Sequence, residues 1–475
     1  MQNINSDTTQ SPIAPVEPAP NADKLDFKKI LPIFVIVLID LLGVTIIIPL
    51  MPLYATTFGA SAFVIGLLGA TYPLMQFLGA PVLGRLSDRY GRKPVLIVSQ
   101  IGTLIGFIIL GLAGSLWMLF LSRLIDGLSG ANIATAQAAI ADSTTEKNRT
   151  QGLGLIGAAF GLGFIIGPII AFASLALSGN DYRVPAFVAA FFSLLSILLT
   201  AFWFQETHNP AHNRDEISKS AFSFGAMFRA LAHPAVGLLL VLMFAQQIAF
   251  GGFEQLLSLF TLTRLGLNAA GNAAIFVFAG LIIVAVQGGF VGQWSRKYGD
   301  RKLVFAGLAL LAIGLGVTAL TPMIPPPWYN QAALTAELSG GHTLLGSTPP
   351  TQDLAIALPS DSNNGWFGLI WLLLAMIPTA IGGGILQPTL NSLITKRVEP
   401  YEVGGILGIS AAMLSAANAL APVIGGAIFQ VAGASAPFWV WALTMGILFA
   451  LAVPLIKPGR EATAPTGLAR GGAGH

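Results

Sequence analysis

The chain has 475 residues, of which 54% are hydrophobic and only 9% are charged, and its formal net charge is +3. This composition is typical of a protein with many membrane spans and excludes an ordinary soluble domain. The absence of cysteine excludes disulfides, thiolate metal sites and cysteine nucleophiles, and the small net charge gives no sign of nucleic-acid binding.

Twelve apolar runs along the chain are each long enough to cross a bilayer, for which about 20 residues are needed. Those of the first half are 29–54, 61–83, 94–115, 116–141, 149–174 and 183–204. Those of the second half are 231–263, 270–294, 301–321, 366–396, 402–432 and 435–457. We therefore expect an all-α polytopic membrane protein.

The polar segments between these runs predict the domain boundaries and the orientation. They divide the chain into a disordered tail (1–28), an N-terminal six-helix bundle (29–207), a linker (208–230), a C-terminal six-helix bundle (231–457) and a second tail (458–475). Apart from Arg123, Arg183 and Arg264, all 24 basic residues lie in the tails, the linker or alternate loops. The positive-inside rule then predicts that both termini and the linker are cytoplasmic, in a cell membrane such as the bacterial inner membrane.

The loop Gly84–Pro94, GRLSDRYGRKP, carries five charges between two apolar runs, so it must lie in water at a membrane face. A near-copy, Gly292–Val304, lies 208 positions further on and repeats the Gly, Ser, Tyr and Gly of the first. One such loop in each half indicates two related bundles.

A second pair of similar segments places Pro168 and Pro422 254 positions apart. The two displacements differ by 46, and the 44 residues of 322–365, a long loop predicted on the outer face, largely explain the difference. A tolerated surface insertion is the favoured interpretation of this loop, and a binding lid is the alternative.

Four stretches of the first half together carry a family resemblance. They are LIDLLGVTIIIPLMP (38–52), GRLSDRYGRKP, LFLSRLIDG around Arg123, and GAAFGLGFIIGP (157–168) with Gly157, Gly161, Gly163, Gly167 and Pro168. They resemble the motifs of the major facilitator superfamily, in particular its twelve-helix drug:proton antiporters such as the tetracycline exporters. The resemblance implies two six-helix bundles and export of amphipathic drug-like molecules in exchange for protons.

In the loop signature the acid Asp88 lies among basic residues at helix ends. It is expected to accept from a helix N-terminus or to pair with Arg149, latching the bundles in the outward-open state. A positive-inside anchor with an incidental acid is the alternative. The latch comprises Gly84, Asp88, Arg89, Gly91, Arg92 and Arg149. Because the second copy has Arg296 in place of Asp88, we expect the acidic role in the first half only.

Four ionisable residues fall within predicted spans: Asp40, Arg123, Asp126 and Glu254. Each is costly in hydrocarbon, so each should face the bundle interior or a wet cavity. Arg123 and Asp126 share a helix face and form either a structural pair or a tuned proton site. Asp40 has no partner in its own helix and is the first candidate for the proton carrier, and Glu254 is the second.

Polar and aromatic residues near the middle of the spans are candidates for the substrate cavity, although interhelical hydrogen bonding or packing is the alternative for each. They are Gln76, Asn132, Gln137, Gln246, Gln247, Phe250, Phe253, Gln387 and Asn391. The glycines of 157–168 predict close helix packing, or else a hinge that seals the proton path.

The chain contains no phosphate-cradling loop and no nucleophile motif, so ATP hydrolysis and enzymatic catalysis are not expected. We expect no cofactor or metal, and as partners a small-molecule substrate, protons and the lipid bilayer, with the protein acting as a monomer. The alternatives are a lipid or metabolite exporter, an uncoupled facilitator, and a receptor or scaffold that docks a partner on 322–365.

Overall fold

The computed structural model describes residues 27–130, 132–144, 146–207, 231–233, 236–340, 355–398 and 403–456. Within these ranges every regular element is a helix. The predicted first tail apart from residues 27 and 28, the linker 208–230 and the second tail 458–475 lie outside the described residues.

The first half contains eight helices. They are α1 (Phe27–Ile47), α2 (Met51–Thr56), α3 (Ala62–Tyr90), α4 (Arg92–Gly111), α5 (Leu116–Ser129), α6 (Asn132–Asp142), α7 (Glu146–Ser178) and α8 (Arg183–Phe202). Gly91 separates α3 from α4 with a φ of 100°, a backbone conformation that glycine adopts without steric cost.

The described part of the second half also contains eight α-helices. They are α9 (Gly237–Leu265), α10 (Ala269–Val284), α11 (Val291–Tyr298), α12 (Asp300–Ala319), α13 (Gln331–Gly340), α14 (Phe367–Lys396), α15 (Val403–Ala432) and α16 (Ala436–Leu455). A π-helical turn, Ala285–Phe290, joins α10 to α11 so that the two form one crossing.

Eleven of the predicted crossings are confirmed as helices that are long and apolar enough to span a membrane. The fourth, predicted as one run over 116–141, is instead described as two helices, α5 and α6, with a break at Gly130. The first crossing also bends, between α1 and α2, at Ile48–Leu50, where Pro49 and then Pro52 interrupt the hydrogen-bond ladder. Broken helices in membrane proteins occur where the backbone is buried in protein or lines a cavity.

Close contacts between the two halves lie near one end of the molecule. We call the end that carries Gly84–Pro94 the basic face and the other end the opposite face. Near the opposite face Ser258 of α9 donates a hydrogen bond of 2.8 Å to the Pro49 carbonyl, and α3 packs closely on α15. At the basic face a Cβ added at Gly84 or Gly289 would meet no atom within 4 Å. The described contacts of α3 with α15 and of Ser258 with Pro49 therefore close the opposite face.

The long segment after α12 does more than extend the surface. Its helix α13 places Glu337 so that one carboxylate oxygen accepts from both Asn180 of the first half and Asn268 of the second, each at 3.3 Å. Tyr329 of the same segment is buried and donates to the Pro359 carbonyl at 2.6 Å. The described part of 322–365 thus bridges the two halves over the opposite face.

Candidate functional site

The break in the fourth crossing places an amide beside the first-crossing acid. Asp40 of α1 is only 8% exposed, and Asn132, the first residue of α6, donates a hydrogen bond of 2.8 Å to its Oδ2. The Oδ1 atom of Asp40 is buried and has no hydrogen-bond partner among the residues that the structure describes. Burying a carboxylate oxygen without a partner is costly, and protonation removes that cost. Asp40 therefore has the environment expected of a proton-carrying group.

The second candidate pair lies just before the same break. Arg123 and Asp126 are both buried, and Nη1 of the arginine lies 3.1 Å from Oδ2 of the aspartate. The guanidinium also lies over the ring of Phe107, 5.5 Å from its centroid. The predicted local pair is confirmed, and Asp126 lies within electrostatic range of Asp40.

Helix α3 contributes polar groups that the sequence prediction included only in part. Gln76 donates to the carbonyl of Gly130 at 2.8 Å and to the hydroxyl of Tyr72 at 3.3 Å. Gly127 and Gly79 make this possible, because the backbones of α3 and α5 approach so closely that a Cβ at either position would lie 2.5 Å from a facing carbonyl oxygen. Tyr72 was not predicted as a site residue. It lies one turn before Gln76 on the same helix face, and this spacing could have indicated it.

The fifth-crossing motif lies against the helix that carries Asp40. A Cβ at Gly167 would lie 2.2 Å from Oγ1 of Thr45, and one at Gly163 would lie 3.5 Å from Cβ of Leu41. Gly161 instead faces Val284 of the second half at 3.4 Å, while Gly157 lies in open space. Close packing, one of the two interpretations of this motif, is thus observed at Gly163 and Gly167.

Glu254 lies in the other half from Asp40. It is partly buried on α9 and forms no hydrogen bond or ion pair with any residue that the structure describes. The preceding turns of α9 carry the amide and aromatic candidates: Gln247 donates to Asn418 of α15 at 2.7 Å, and the rings of Phe250 and Phe253 lie 6.0 Å apart. The structure therefore places the candidate acids in two groups, one in each half.

The remaining cavity candidates differ in exposure. Gln137 and Gln387 are exposed although both lie within predicted spans, whereas Gln246 is buried and its Oε1 has no hydrogen-bond partner. Asn391 is partly buried, and its Oδ1 likewise has no partner. Buried amide oxygens without partners are uncommon in folded proteins and occur at sites that receive a ligand or water.

At the basic face, Arg92 connects the latch residues within the first half. Its guanidinium bonds Asp88 at 2.5 Å and Asp142 of α6 at 2.9 Å, while Glu206 accepts from the backbone amides of Arg92 and Lys93 and caps α4. The pairing of Asp88 with Arg149 stays a prediction, because the side chain of Arg149 lies outside the described residues.

The second half contains the same arrangement with the charges inverted. Asp300 accepts from Ser295, Ser392 and Lys396, the last at 2.6 Å. Asp300 lies 208 positions after Arg92, and Lys396 lies 254 positions after Asp142. Asp300 thus supplies a paired acid next to the second copy, whereas the expectation that the acidic latch role lies in the first half only stays a prediction. The sequence already indicated the second pair. The displacements of 208 and 254 positions align Arg92 with Asp300 and Asp142 with Lys396, each with a residue of opposite charge.

Comparison with known proteins agrees with this architecture. Residues 33–365 and 354–473 match the sequence profile of the Major Facilitator Superfamily. The class B tetracycline resistance protein of Escherichia coli is 28% identical over 431 residues, which cover 89% of this chain and 93% of that protein. Multidrug resistance protein 1 of Bacillus subtilis (strain 168) is 26% identical over 422 residues, covering 88% of this chain and 94% of that protein.

Two solved structures share the fold. The crystal structure of the human organic anion transporter MFSD10 (TETRAN) has a TM-score of 0.62 at 22% identity, covering 90% of this chain and 99% of that one. A crystal structure of the nucleoside transporter NupG has a TM-score of 0.67 at 12% identity, covering 90% of this chain and 100% of that one. The chain is a multi-pass membrane transporter, not an enzyme, and it belongs to the Major Facilitator Superfamily.

Proposed function

We propose that this transporter exports amphipathic drug-like molecules in exchange for protons, by exposing a site between its two halves alternately to the two membrane faces. The observation that carries the proposal is the environment of Asp40. One of its oxygens is bound by Asn132 across a broken helix, and the other is buried without a partner. Such a carboxyl binds and releases a proton as its surroundings become dry or wet.

The substrate class is supported by the second half. Helices α9 and α15 carry the aromatic residues Phe250 and Phe253 and the amides of Gln246, Gln247 and Asn418 close together. Apolar walls with a few polar groups suit amphipathic molecules. The relatives named as tetracycline and multidrug resistance proteins favour the same class of substrate for this chain.

The direction of transport follows from the predicted orientation. If the basic face is cytoplasmic, the contacts at the opposite face close the outer side, and substrate enters from the cytoplasmic side. Loading on that side, closure of the basic face and opening of the opposite face would then move the substrate outward. A proton bound at Asp40 from the outside would return in the second part of the cycle.

The experiment is transport in proteoliposomes under an imposed pH difference, with a panel of amphipathic compounds that includes a tetracycline. We expect Asp40→Asn to abolish uphill transport while leaving the protein folded. The matched control is Asp361→Asn, the same change at an exposed acid near the opposite face. Uphill export by the Asp40 variant would contradict the assignment.

The same measurement separates the alternatives. Downhill movement that does not respond to pH would indicate an uncoupled facilitator. Movement of labelled lipids or metabolites, with no movement of the drug panel, would indicate an exporter of those molecules. Absence of all transport combined with tight binding of a partner protein would indicate a receptor or scaffold.

A further inference from the structure

A cavity of about 460 Å³ lies near the opposite face, away from the acids of the first half. It lies among the ends of α3, α9 and α15, the start of α16, and the segment 355–357. Its volume falls within the range of about 300–1,000 Å³ that is usual for small-molecule sites. The transport mechanism proposed above assigns no role to this cavity.

A single cation marks one end of the cavity. Arg264, in the last turn of α9, donates to Oγ of Ser435 through Nη2 at 2.5 Å. Its Nε is buried without a partner, and its Nη1 forms no hydrogen bond with any described residue. In the part of the chain that the structure describes, no aspartate or glutamate lines the cavity. The guanidinium therefore keeps donors for an oxyanion that none of the described residues supplies.

The position of Arg264 is unusual for this chain. Together with Arg183 it is one of two basic residues predicted at the opposite face, where the positive-inside rule disfavours cations. Arg264 lies at the C-terminal end of α9, where the helix dipole favours a cation. This accounts in part for an arginine at the opposite face. Helix capping alone does not require a cavity in front of the side chain.

The rest of the lining is mixed in polarity. Thr263 and Gln430 lie near the cation, and Phe429, Ile356 and Met323 supply apolar surface. The hydroxyl of Ser435, the residue that precedes the first turn of α16, is held by Arg264 and accepts no helix-capping bond. A ligand that fits this surface carries one oxyanion and an apolar portion.

We propose that the cavity around Arg264 binds an anionic amphiphile, with its phosphate or carboxylate on the guanidinium and its apolar portion against Phe429 and Ile356. Because Ala62 of the first half and Phe429 of the second both line the cavity, the ligand touches both halves and stabilises the conformer that is closed at the opposite face. The site does not depend on proton coupling. The ligand is either an anionic phospholipid of the adjacent leaflet or a free organic anion.

The test has a lipid arm and a soluble arm, both read by thermal unfolding of the full chain. In the first, nanodiscs of phosphatidylcholine are compared with nanodiscs that also contain phosphatidylglycerol. In the second, octyl phosphate is titrated onto protein in phosphatidylcholine nanodiscs. We expect stabilisation of the wild type in at least one arm. In Arg264→Gln the apparent affinity for the ligand that stabilises the wild type, phosphatidylglycerol or octyl phosphate, should fall by about tenfold or more. This is the loss expected for one charge-assisted contact.

Two further variants make the test specific. Arg183→Gln removes the other basic residue at this face, which does not line the cavity, and should keep the wild-type response. Ala357→Trp keeps Arg264 but fills the cavity, and should lose the response; it carries the test if the Arg264 variant does not fold. A response to phosphatidylglycerol alone identifies a lipid site, and a response to octyl phosphate alone identifies a soluble ligand. Two outcomes would overturn the proposal. One is that the wild type responds in neither arm. The other is that wild type, Arg264→Gln and Ala357→Trp respond equally in both arms.

Discussion

The contact between α3 and α15 predicts how a single methyl group shifts the conformational equilibrium. A Cβ added at Gly66 would lie 2.2 Å from the carbonyl oxygen of Pro422 and 3.1 Å from its carbonyl carbon. A Cβ added at the nearby Gly426 would likewise lie 2.6 Å from the carbonyl oxygen of Ala62. Gly66→Ala therefore cannot be accommodated without separating the two helix backbones.

Overpacking of this kind costs about 1–3 kcal/mol. The cost applies to the conformer that is closed at the opposite face and not to one in which α3 and α15 have separated there. A differential free energy of about 1–3 kcal/mol changes the ratio of the two conformers about 5-fold to 150-fold. We expect Gly66→Ala to favour opening at the opposite face and closure at the basic face.

The assay uses the natural absence of cysteine. A single cysteine at Gly289, which lies in open space at the basic face, is labelled with a membrane-impermeant maleimide from that side. Labelling should slow in the Gly66→Ala background. Gly446→Ala, at a glycine of α16 with open space around it, is the matched control and should label like the parent. Unchanged labelling in a folded Gly66→Ala protein would refute the view that this contact holds the opposite face closed.

Three further predictions concern other contacts. Asp300→Asn should lower the free energy of unfolding in a denaturant titration by about 1 kcal/mol, the lower end of the usual range because Lys396 is half-exposed. Burial raises the pKa of Glu337 above its ordinary value of 4.5, so the folded state binds more protons than the unfolded state. Stability measured by thermal unfolding should therefore fall as pH rises above 4.5, and Glu337→Gln should lack this pH dependence. Gly167→Val should lower thermal stability, at a cost of about 1–3 kcal/mol, because its Cβ would lie 2.2 Å from Oγ1 of Thr45.

Much of the fold could be predicted from the sequence, because a membrane span has a strong compositional signal. Apolar runs located the crossings, and the intramembrane acids stood out because charge is rare among them. The break near Gly130 could not be predicted in the same way. Apolar and small residues continue through it without a proline. Only the packing of α3 against α5 shows that the carbonyl of Gly130 accepts a hydrogen bond from Gln76.

Contacts between residues far apart in sequence explain most of what was missed. Glu337 joins Asn180 and Asn268, and neither pairing follows a periodic pattern. The interpretation of 322–365 as a tolerated surface insertion therefore omitted its bridging of the two halves. The inverted pair of Asp300 and Lys396 differs, because alignment of the repeats with their two displacements would have found it.

Helix α3 offers a physical route from the proton site to the contact between the halves. Gln76 donates a hydrogen bond to the carbonyl of Gly130 at the break of the fourth crossing. Gly66 lies ten residues earlier on the same helix, about 15 Å away, and packs against α15. A rearrangement of the break when Asp40 binds or releases its proton would move a helix that is tightly packed at both places. Spatial continuity alone does not establish coupling, so the decisive measurement is a double-variant cycle. If α3 carries the coupling, Asp40→Asn and Gly66→Ala will change the labelling of the introduced cysteine non-additively; additive effects would show that the proton site and the contact between the halves act independently.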